Sequence, residues 1–291
     1  MTTSAPEPNV HRVHFDQVLR QIRDLPALPA IVQDVLKNSH SDEVDIHIIA
    51  RKVSLDQALT AKTLRFANSP FYGLQARVTT IQQAITLIGV DSVRHVVTAT
   101  ALTGYFPPGS CPALDFSVLW RHAIATAVCA RVLAVHLHVN QDYAFTAGLL
   151  HDIGRLLLAT YFRREYEAVV AYRDAHDCQW LDAERTVMGV DHAVAGEALA
   201  EYWHFSDSIR YAIAGHHNPE FQKVHSLASI VHVANAIVHA LDLSGEDNDL
   251  VPPVSPNAWE GLGLSEDVYQ HVFHETELMF EEVSRVLLTN E

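Results

Sequence analysis

The fold is decided by the stretch Ala147-Gly148-Leu149-Leu150-His151-Asp152-Ile153-Gly154-Arg155, which places one polar pair in an otherwise apolar run. Burying an imidazole and a carboxylate together costs free energy unless each finds a partner. We expect the pair to lie inside a helix, where residues three and four positions away share the face of His151. Most of those neighbours are very small, which leaves room for a ligand or another helix beside the imidazole. A buried hydrogen bond between His151 and Asp152 is the structural alternative.

Polar side chains also interrupt apolar helix faces elsewhere in the chain. Their helical spacing from neighbouring apolar residues predicts that they point into the core. The set comprises His122, His192, His216 with the adjacent His217, and Asn235.

Imidazole and carboxylate groups together form a ligand set that Zn, Fe and Mn use. Two such ions can activate water and clamp a phosphoryl group. A lone inward histidine is more often a core residue with a satisfied hydrogen bond, and the interpretation in which every one of these histidines is core stays open. Several of them converging on one His-Asp pair favour a divalent transition-metal site with one or two ions.

Helical periodicity runs almost continuously along the chain, and no alternating strand pattern persists, so the sequence predicts an all-α fold. Residues 1–14 read as a flexible N-terminus. Asp56 and Ser265 are expected N-caps, and the segment Phe106–Pro112, rich in proline, is the expected internal boundary. Residues 244–264 read as an acidic loop before a last helix over 265–291. The longer predicted helices span 116–138, 142–160, 163–176, 191–203, 207–217 and 224–242.

Composition narrows the classes of partner and compartment. The net charge of −15 argues against nucleic acid and against anionic membrane surfaces, because both need a basic face. No run of 18 apolar residues predicts a membrane span, and the residues from Met1 to Asn9 lack the pattern of a signal peptide. The three cysteines match no zinc motif and fit inert thiols in a reducing compartment. We therefore expect a cytoplasmic protein.

Several motifs together resemble the HDOD family, the HD-related output domain of bacterial regulators, within the HD superfamily of metal-dependent phosphohydrolases. The central segment Phe145–Asp152 is similar to the family's HD segment, and the resemblance covers about residues 17–240. Further similar segments are Leu25–Pro29, Leu59–Lys62, Ala67–Ser69, Ile81–Gly89, Asp191–Trp203 and Ile213–Pro219.

The resemblance implies a two-lobed helical fold, with an N-terminal helical lobe over 15–108 and an HD-like lobe over 113–243 on which the last helix packs. It also implies that the superfamily's metal ligands fall at His122, His151, Asp152, His192 and His216, with His217 adjacent. The superfamily's final aspartate falls at Asn235, and an amide oxygen is a poor substitute for a carboxylate on a transition metal. Arg155 replaces the lysine common after this motif, and no GYP motif follows His217.

The resemblance implies a bacterial signal-transduction module that acts through a regulatory protein partner, with a metal or nucleotide as a structural or sensory ligand. The alternative is a metal-dependent phosphohydrolase acting on a nucleotide or cyclic dinucleotide, as the related HD-GYP family does. In that case Asp152 and the histidines hold the metal, a bridging hydroxide attacks phosphorus, and Arg155 steadies the phosphate. A scaffold without metal is the third hypothesis.

Overall fold

The computed structural model describes residues 12–25, 28, 32, 46–75, 77–106, 111–221, 226–246 and 249–288, which form helices and loops without a strand. The all-α expectation is confirmed. Most of the proposed flexible N-terminus lies outside the described residues. In chain order the described α-helices are α1 (Phe15–Arg23), α2 (Ile46–Ser54), α3 (Gln57–Ala67), α4 (Ile81–Ile88), α5 (Val90–Tyr105), α6 (Phe116–His136), α7 (Gln141–Leu150), α8 (Ile153–Tyr161), α9 (Arg163–His176), α10 (Trp180–Val187), α11 (His192–Tyr202), α12 (Asp207–Gly215), α13 (Leu227–Ala240), α14 (Pro256–Gly261) and α15 (Glu266–Leu288).

Helix α6 lies at the centre of the fold. It is 21 residues long and predominantly apolar, and most of it is buried inside the protein. Its length and composition alone would suit a membrane span, but its apolar surface is covered by α7, α13 and α15. A helix that is apolar all round is typical of a core position. Because α6 carries His122, the core fixes where that imidazole lies.

Side-chain caps set several helix starts. Asp56 Oδ1 accepts the N–H of Leu59 at 3.0 Å at the start of α3, and Ser265 Oγ accepts the N–H of Val268 at 3.4 Å at the start of α15. Both caps agree with the sequence expectation. Asp191 caps α11 by accepting the N–H of Val194 at 2.9 Å. That cap makes His192 the first residue of α11 and so fixes its position.

The structure differs from the expected helices at three places. The helix expected over 142–160 is interrupted after Leu150 and forms two helices, α7 and α8. Helix α10 was not expected, since its segment mixes charged and apolar residues over only eight positions. The acidic loop contains the short helix α14, where Ser255 accepts the N–H of Ala258 at 3.1 Å and Pro256 occupies the first turn. Proline suits that position, since the missing N–H has no partner in a first turn.

The division into two lobes stays a prediction, and contacts cross the expected boundary. Helix α1 packs on α11 of the HD-like lobe, and the N–H of Val13 donates to the carbonyl of Met188 at 2.8 Å. Helix α15 packs along α6 and also reaches α3, where Lys62 Nζ donates to the carbonyl of Leu287 at 3.2 Å. Both ends of the described part of the chain therefore make contacts across the predicted boundary between the lobes.

The cysteines give a first testable prediction. Cys111 and Cys129 are buried and Cys178 is partly exposed, and burial raises the pKa of Cys129 to about 12. The thiolate is the reactive form, so Cys129 stays protonated and inert through pH 10. In the native protein we expect iodoacetamide to modify Cys178 alone, as measured by mass spectrometry, and all three thiols after denaturation. Native labelling of Cys129 would contradict this packing, and Cys178→Ser is the control that should abolish native labelling.

Candidate metal centre

The His151–Asp152 pair lies at a break between two helices and not inside one helix, which corrects the sequence expectation. Helix α7 ends at Leu150, and Asp152 has φ −99° and ψ 14°, outside the α-helical range. The physical reason is local: Nδ1 of His151 bonds to the carbonyl of Gly148 at 2.6 Å. That carbonyl is the one a continuing helix would give to the N–H of Asp152. The imidazole thus ends the helix.

The small residues beside the pair are used for close helix packing. A Cβ placed on Gly148 would lie 2.7 Å from the Cα of Ala127 on α6. A Cβ placed on Gly154 would lie 2.0 Å from the carbonyl oxygen of His192 on α11. Of the two expectations for this space, a ligand or another helix, the structure places helices there. Both helices that approach so closely also carry a histidine of the centre.

Five of the expected side chains gather around Asp152, in two groups that share its carboxylate. In the first group, Nε2 of His122 and Nε2 of His151 are 3.2 Å apart. In the second, Nε2 of His192 lies 3.2 Å from Oδ1 of Asp152 and 2.7 Å from Nε2 of His217. The groups are His122, His151 and Asp152, and Asp152, His192, His216 and His217.

Three of the imidazoles have their outer nitrogen fixed by an acceptor. A carbonyl or carboxylate oxygen accepts a hydrogen bond, so Nδ1 carries the hydrogen and a neutral ring has its lone pair on Nε2. In each ring Nε2 therefore presents the metal-binding lone pair to the centre of the cluster. The three bonds run from His151 to the carbonyl of Gly148 at 2.6 Å, from His216 to the carbonyl of Ile213 at 2.7 Å, and from His192 to Oε2 of Glu184 at 2.6 Å.

Burial sets the protonation of the cluster. It lowers the pKa of His151 to about 3, and together with neighbouring imidazoles it holds the pKa of His122 and of His217 well below the usual range. For Asp152 burial alone would raise the pKa, but the imidazoles of His151 and His192 hold it well below its ordinary value. At neutral pH the imidazoles of His122, His151 and His217 are therefore neutral and Asp152 is ionised. Neutral imidazole and ionised carboxylate are the forms that bind a metal ion.

The donor set fits a divalent transition metal. Two nitrogens on one zinc-like ion at about 2.0–2.1 Å lie roughly 2.9–3.4 Å apart. The 3.2 Å separation of the His122 and His151 nitrogens falls in that range, and the 2.7 Å separation of the His192 and His217 nitrogens is slightly shorter. Nε2 of His216 is buried without a hydrogen-bond partner in the described part of the chain. Facing lone pairs repel each other unless a cation or a proton lies between them.

Glu184 is a member of the site that the sequence did not reveal. Its side chain is fully buried on α10, and Oε2 accepts both the N–H of His192 at 2.8 Å and its Nδ1–H at 2.6 Å. Burial opposes a charge on His192, but the carboxylates of Glu184 and Asp152 raise its pKa above the ordinary value. A carboxylate behind a ligating histidine orients the ring and strengthens it as a ligand. The sequence offers one indication of this role: Glu184 is an acidic residue next to the apolar helix positions Ala183 and Val187.

Arg155 lies on the opposite side of the carboxylate and is engaged by its surroundings. Its side chain is 3% exposed, and it donates to Oδ2 of Asp152 at 3.1 Å and to the hydroxyl of Tyr166 at 3.4 Å. The guanidinium also lies 4.3 Å from the ring centroid of Trp180. These contacts orient Asp152 toward the histidines.

Asn235 is buried on α13, and its Oδ1 has no hydrogen-bond partner within the described residues. One turn later on the same helix lies His239, a second residue that the sequence did not reveal. The ring centroids of His239 and His122 are 4.5 Å apart, and Nδ1 of His239 lies 2.7 Å from both oxygens of Asp249. Asn235 therefore shares its helix face with an imidazole that contacts the centre.

Known proteins share this fold. The crystal structure of an HDOD domain protein from Geobacter sulfurreducens matches with a TM-score of 0.79 and 24% identity, covering 95% of this chain and 100% of that one. A protein from Shewanella amazonensis that is provisionally named a phosphohydrolase matches with a TM-score of 0.72 and 25% identity, covering 93% and 97%.

An uncharacterized protein of Treponema pallidum is 24% identical over an alignment of 231 positions that covers 76% of this chain. This chain spans 44% of the length of that curated relative. A family model described as HDOD domain matches residues 25–219. Because that match covers most of the chain, the protein belongs to the HDOD domain family.

Proposed function

We propose that this chain is a regulatory output module that holds one or two divalent transition-metal ions, Fe, Mn or Zn, in a structural or sensory role. It acts through contacts with a regulatory protein and not by turnover. Family membership supports the regulatory role at the level of the domain class. The net charge of −15 disfavours nucleic acid or an anionic membrane as the partner. The three cysteines form no disulfide, which fits a cytoplasmic location.

The burial of the donor set is the observation that carries this proposal. His122, His151, Asp152, His192 and His216 are each at most 6% exposed, and His217 alone of the six is partly exposed. A catalytic metal site keeps an open position for water and substrate. A cluster enclosed on nearly every side by helices suits an ion that stabilises the fold or reports on metal supply.

The test compares metal content with hydrolysis in the same preparation. The purified chain is loaded with Mn²⁺, Fe²⁺ or Zn²⁺, its ions are counted by mass spectrometry, and cyclic di-GMP is followed by chromatography. We expect one or two ions per chain and no hydrolysis above the metal-only blank, with an active cyclic di-GMP phosphodiesterase as positive control. Metal-dependent turnover would overturn the non-catalytic role. A folded protein that binds no metal would overturn the metal centre and leave the scaffold hypothesis.

The phosphohydrolase alternative is favoured by one specific feature, the division of the donors into two groups that share Asp152. Two ions held there would supply Lewis acidity and an activated water for attack on phosphorus. In that function Asp152 and the histidines would hold the ions. Arg155 would have to leave Asp152 and Trp180 to reach a phosphate, so its contacts fit a positioning role better.

A further inference from the structure

The acidic loop after α13 contacts the metal centre indirectly at three separate points. Three of its described residues, Glu246, Asp249 and Ser255, reach the centre through one intermediate side chain or through a short chain of them. The intermediate residues are His239, Trp180 and His232, and each lies against a different residue of the donor set or its support. A loop that merely covers a surface has no reason to converge on one buried site in this way.

The first connection runs through Asp249 and His239. Asp249 lies with both carboxylate oxygens 2.7 Å from Nδ1 of His239, and the two side chains are 9% and 10% exposed. The His239 ring in turn lies 4.5 Å from that of His122, with an angle of 38° between the planes. Asp249 therefore fixes the orientation of an imidazole that packs directly on an expected ligand.

The second connection runs through Glu246 and Trp180. Nε1 of Trp180 donates to Oε1 of Glu246 at 2.9 Å, and Arg173 contacts the same oxygen at 3.4 Å. The indole ring then lies between two guanidinium groups, with Arg155 at 4.3 Å and Arg173 at 4.4 Å from its centroid. Because Arg155 donates to Asp152, the position of Glu246 is linked to the carboxylate that both donor groups share.

The third connection runs through Ser255 and His232. The N–H of Ser255 donates to Nε2 of His232 at 2.9 Å, and Nδ1–H of His232 donates to the carbonyl of His216 at 2.7 Å. The backbone of His216 is thereby held from the loop side, while its own Nδ1 is held by Ile213. Each of the three connections ends on a different residue of the centre, namely His122, Asp152 and His216.

We infer that the acidic loop is the outer layer of the metal centre, and that His239, Trp180 and His232 are positioning residues through which the loop and a bound ion stabilise each other. This inference rests on the proposed metal centre. Partners behind ligating residues typically contribute about 10–100-fold to metal affinity. The coupling is reciprocal, since a loop that strengthens ion binding must itself be strengthened by the ion.

The experiment measures both directions of this coupling with Zn²⁺ as the probe, and uses Co²⁺ in place of Zn²⁺ where an absorption spectrum is needed. In the wild-type chain, we expect Zn²⁺ to slow hydrogen exchange of the loop amide of Ser255, which donates to Nε2 of His232, a change that needs no variant. In Asp249→Asn and in Trp180→Phe, which removes the indole N–H and reduces the ring that the two guanidinium groups contact, we expect Zn²⁺ affinity by calorimetry to fall about 10-fold or more. The absorption bands of bound Co²⁺ should shift in Asp249→Asn, because the ring against His122 loses its fixed orientation.

Glu260→Gln is the matched control, because it removes one negative charge from the same segment at an exposed residue. Its Zn²⁺ affinity and exchange should equal those of the wild type. If the wild type binds Zn²⁺ but its loop exchange is unchanged and Asp249→Asn binds like Glu260→Gln, the coupling is wrong and the metal centre stands. If the wild type binds no Zn²⁺, the metal centre fails and the coupling with it. Circular dichroism confirms that each variant is folded before its affinity is read.

Discussion

Replacing Asp152 by alanine is expected to remove bound metal from both donor groups at once. Its Oδ1 lies 3.2 Å from Nε2 of His192, 3.6 Å from that of His216 and 3.7 Å from that of His151. It is the one carboxylate that the two groups have in common. Neutral imidazoles alone leave the charge of a divalent ion uncompensated in a buried site. The loss of affinity should therefore exceed the roughly 10–100-fold that removal of an outer partner costs.

The measurement is metal content after gel filtration, with Asp207→Ala as control. Asp207 is also acidic and at a helix start, but its side chain is 74% exposed, so the control should retain the full metal content. Asp152→Ala also leaves the guanidinium of Arg155 buried without this partner, and breaking a buried pair costs about 3–5 kcal/mol. Asp152→Asn, which keeps an oxygen for Arg155, separates loss of charge from loss of fold. Full metal retention in both Asp152 variants would show that this carboxylate does not organise the centre.

The candidate ligand set was accessible from sequence because its members stand out against apolar helix faces. His122 lies in a long apolar helix, and the His151–Asp152 pair interrupts an apolar run, so periodicity alone indicates that they point inward. The structure brings these residues together with His192, His216 and His217. Helical periodicity also placed most helices, with errors at their ends.

The features that sequence did not reveal depend on contacts between distant residues. The break after Leu150 arises because the His151 side chain takes a backbone carbonyl, a competition that hydrophobic spacing does not register. Glu184 lies in a short mixed helix, and its role appears only when that helix packs against the start of α11. Asp249 lies in a loop whose composition suggests solvent exposure, yet its partner is the largely buried imidazole of His239. Outer partners of a site are set by tertiary packing and leave little local signal.

Replacing Gly154 by alanine is expected to lower the free energy of unfolding by about 3 kcal/mol or more, at the upper end of what overpacking costs. The new Cβ would lie 2.0 Å from the carbonyl oxygen of His192 and 2.7 Å from the backbone nitrogen of Gly196. Both are backbone atoms of α11, so no side chain can rotate away. Helix propensity alone would favour alanine over glycine by about 1 kcal/mol, so the sign of the change distinguishes the two effects.

Three alanine variants with different expected losses of stability test this prediction. At Gly196 the nearest atom to a new Cβ is the methyl Cγ2 of Ile213 at 2.9 Å, which can shift, so Gly196→Ala should cost less than Gly154→Ala. Ser208→Ala, at an exposed position on α12, is the neutral control. Thermal unfolding should place Gly154→Ala lowest, by roughly 6–10 °C for a loss of this size. An unchanged or raised midpoint would mean that α8 and α11 are not packed this closely. Because that packing also sets where His192 stands relative to Asp152, Gly154→Ala should weaken metal binding even in the molecules that remain folded.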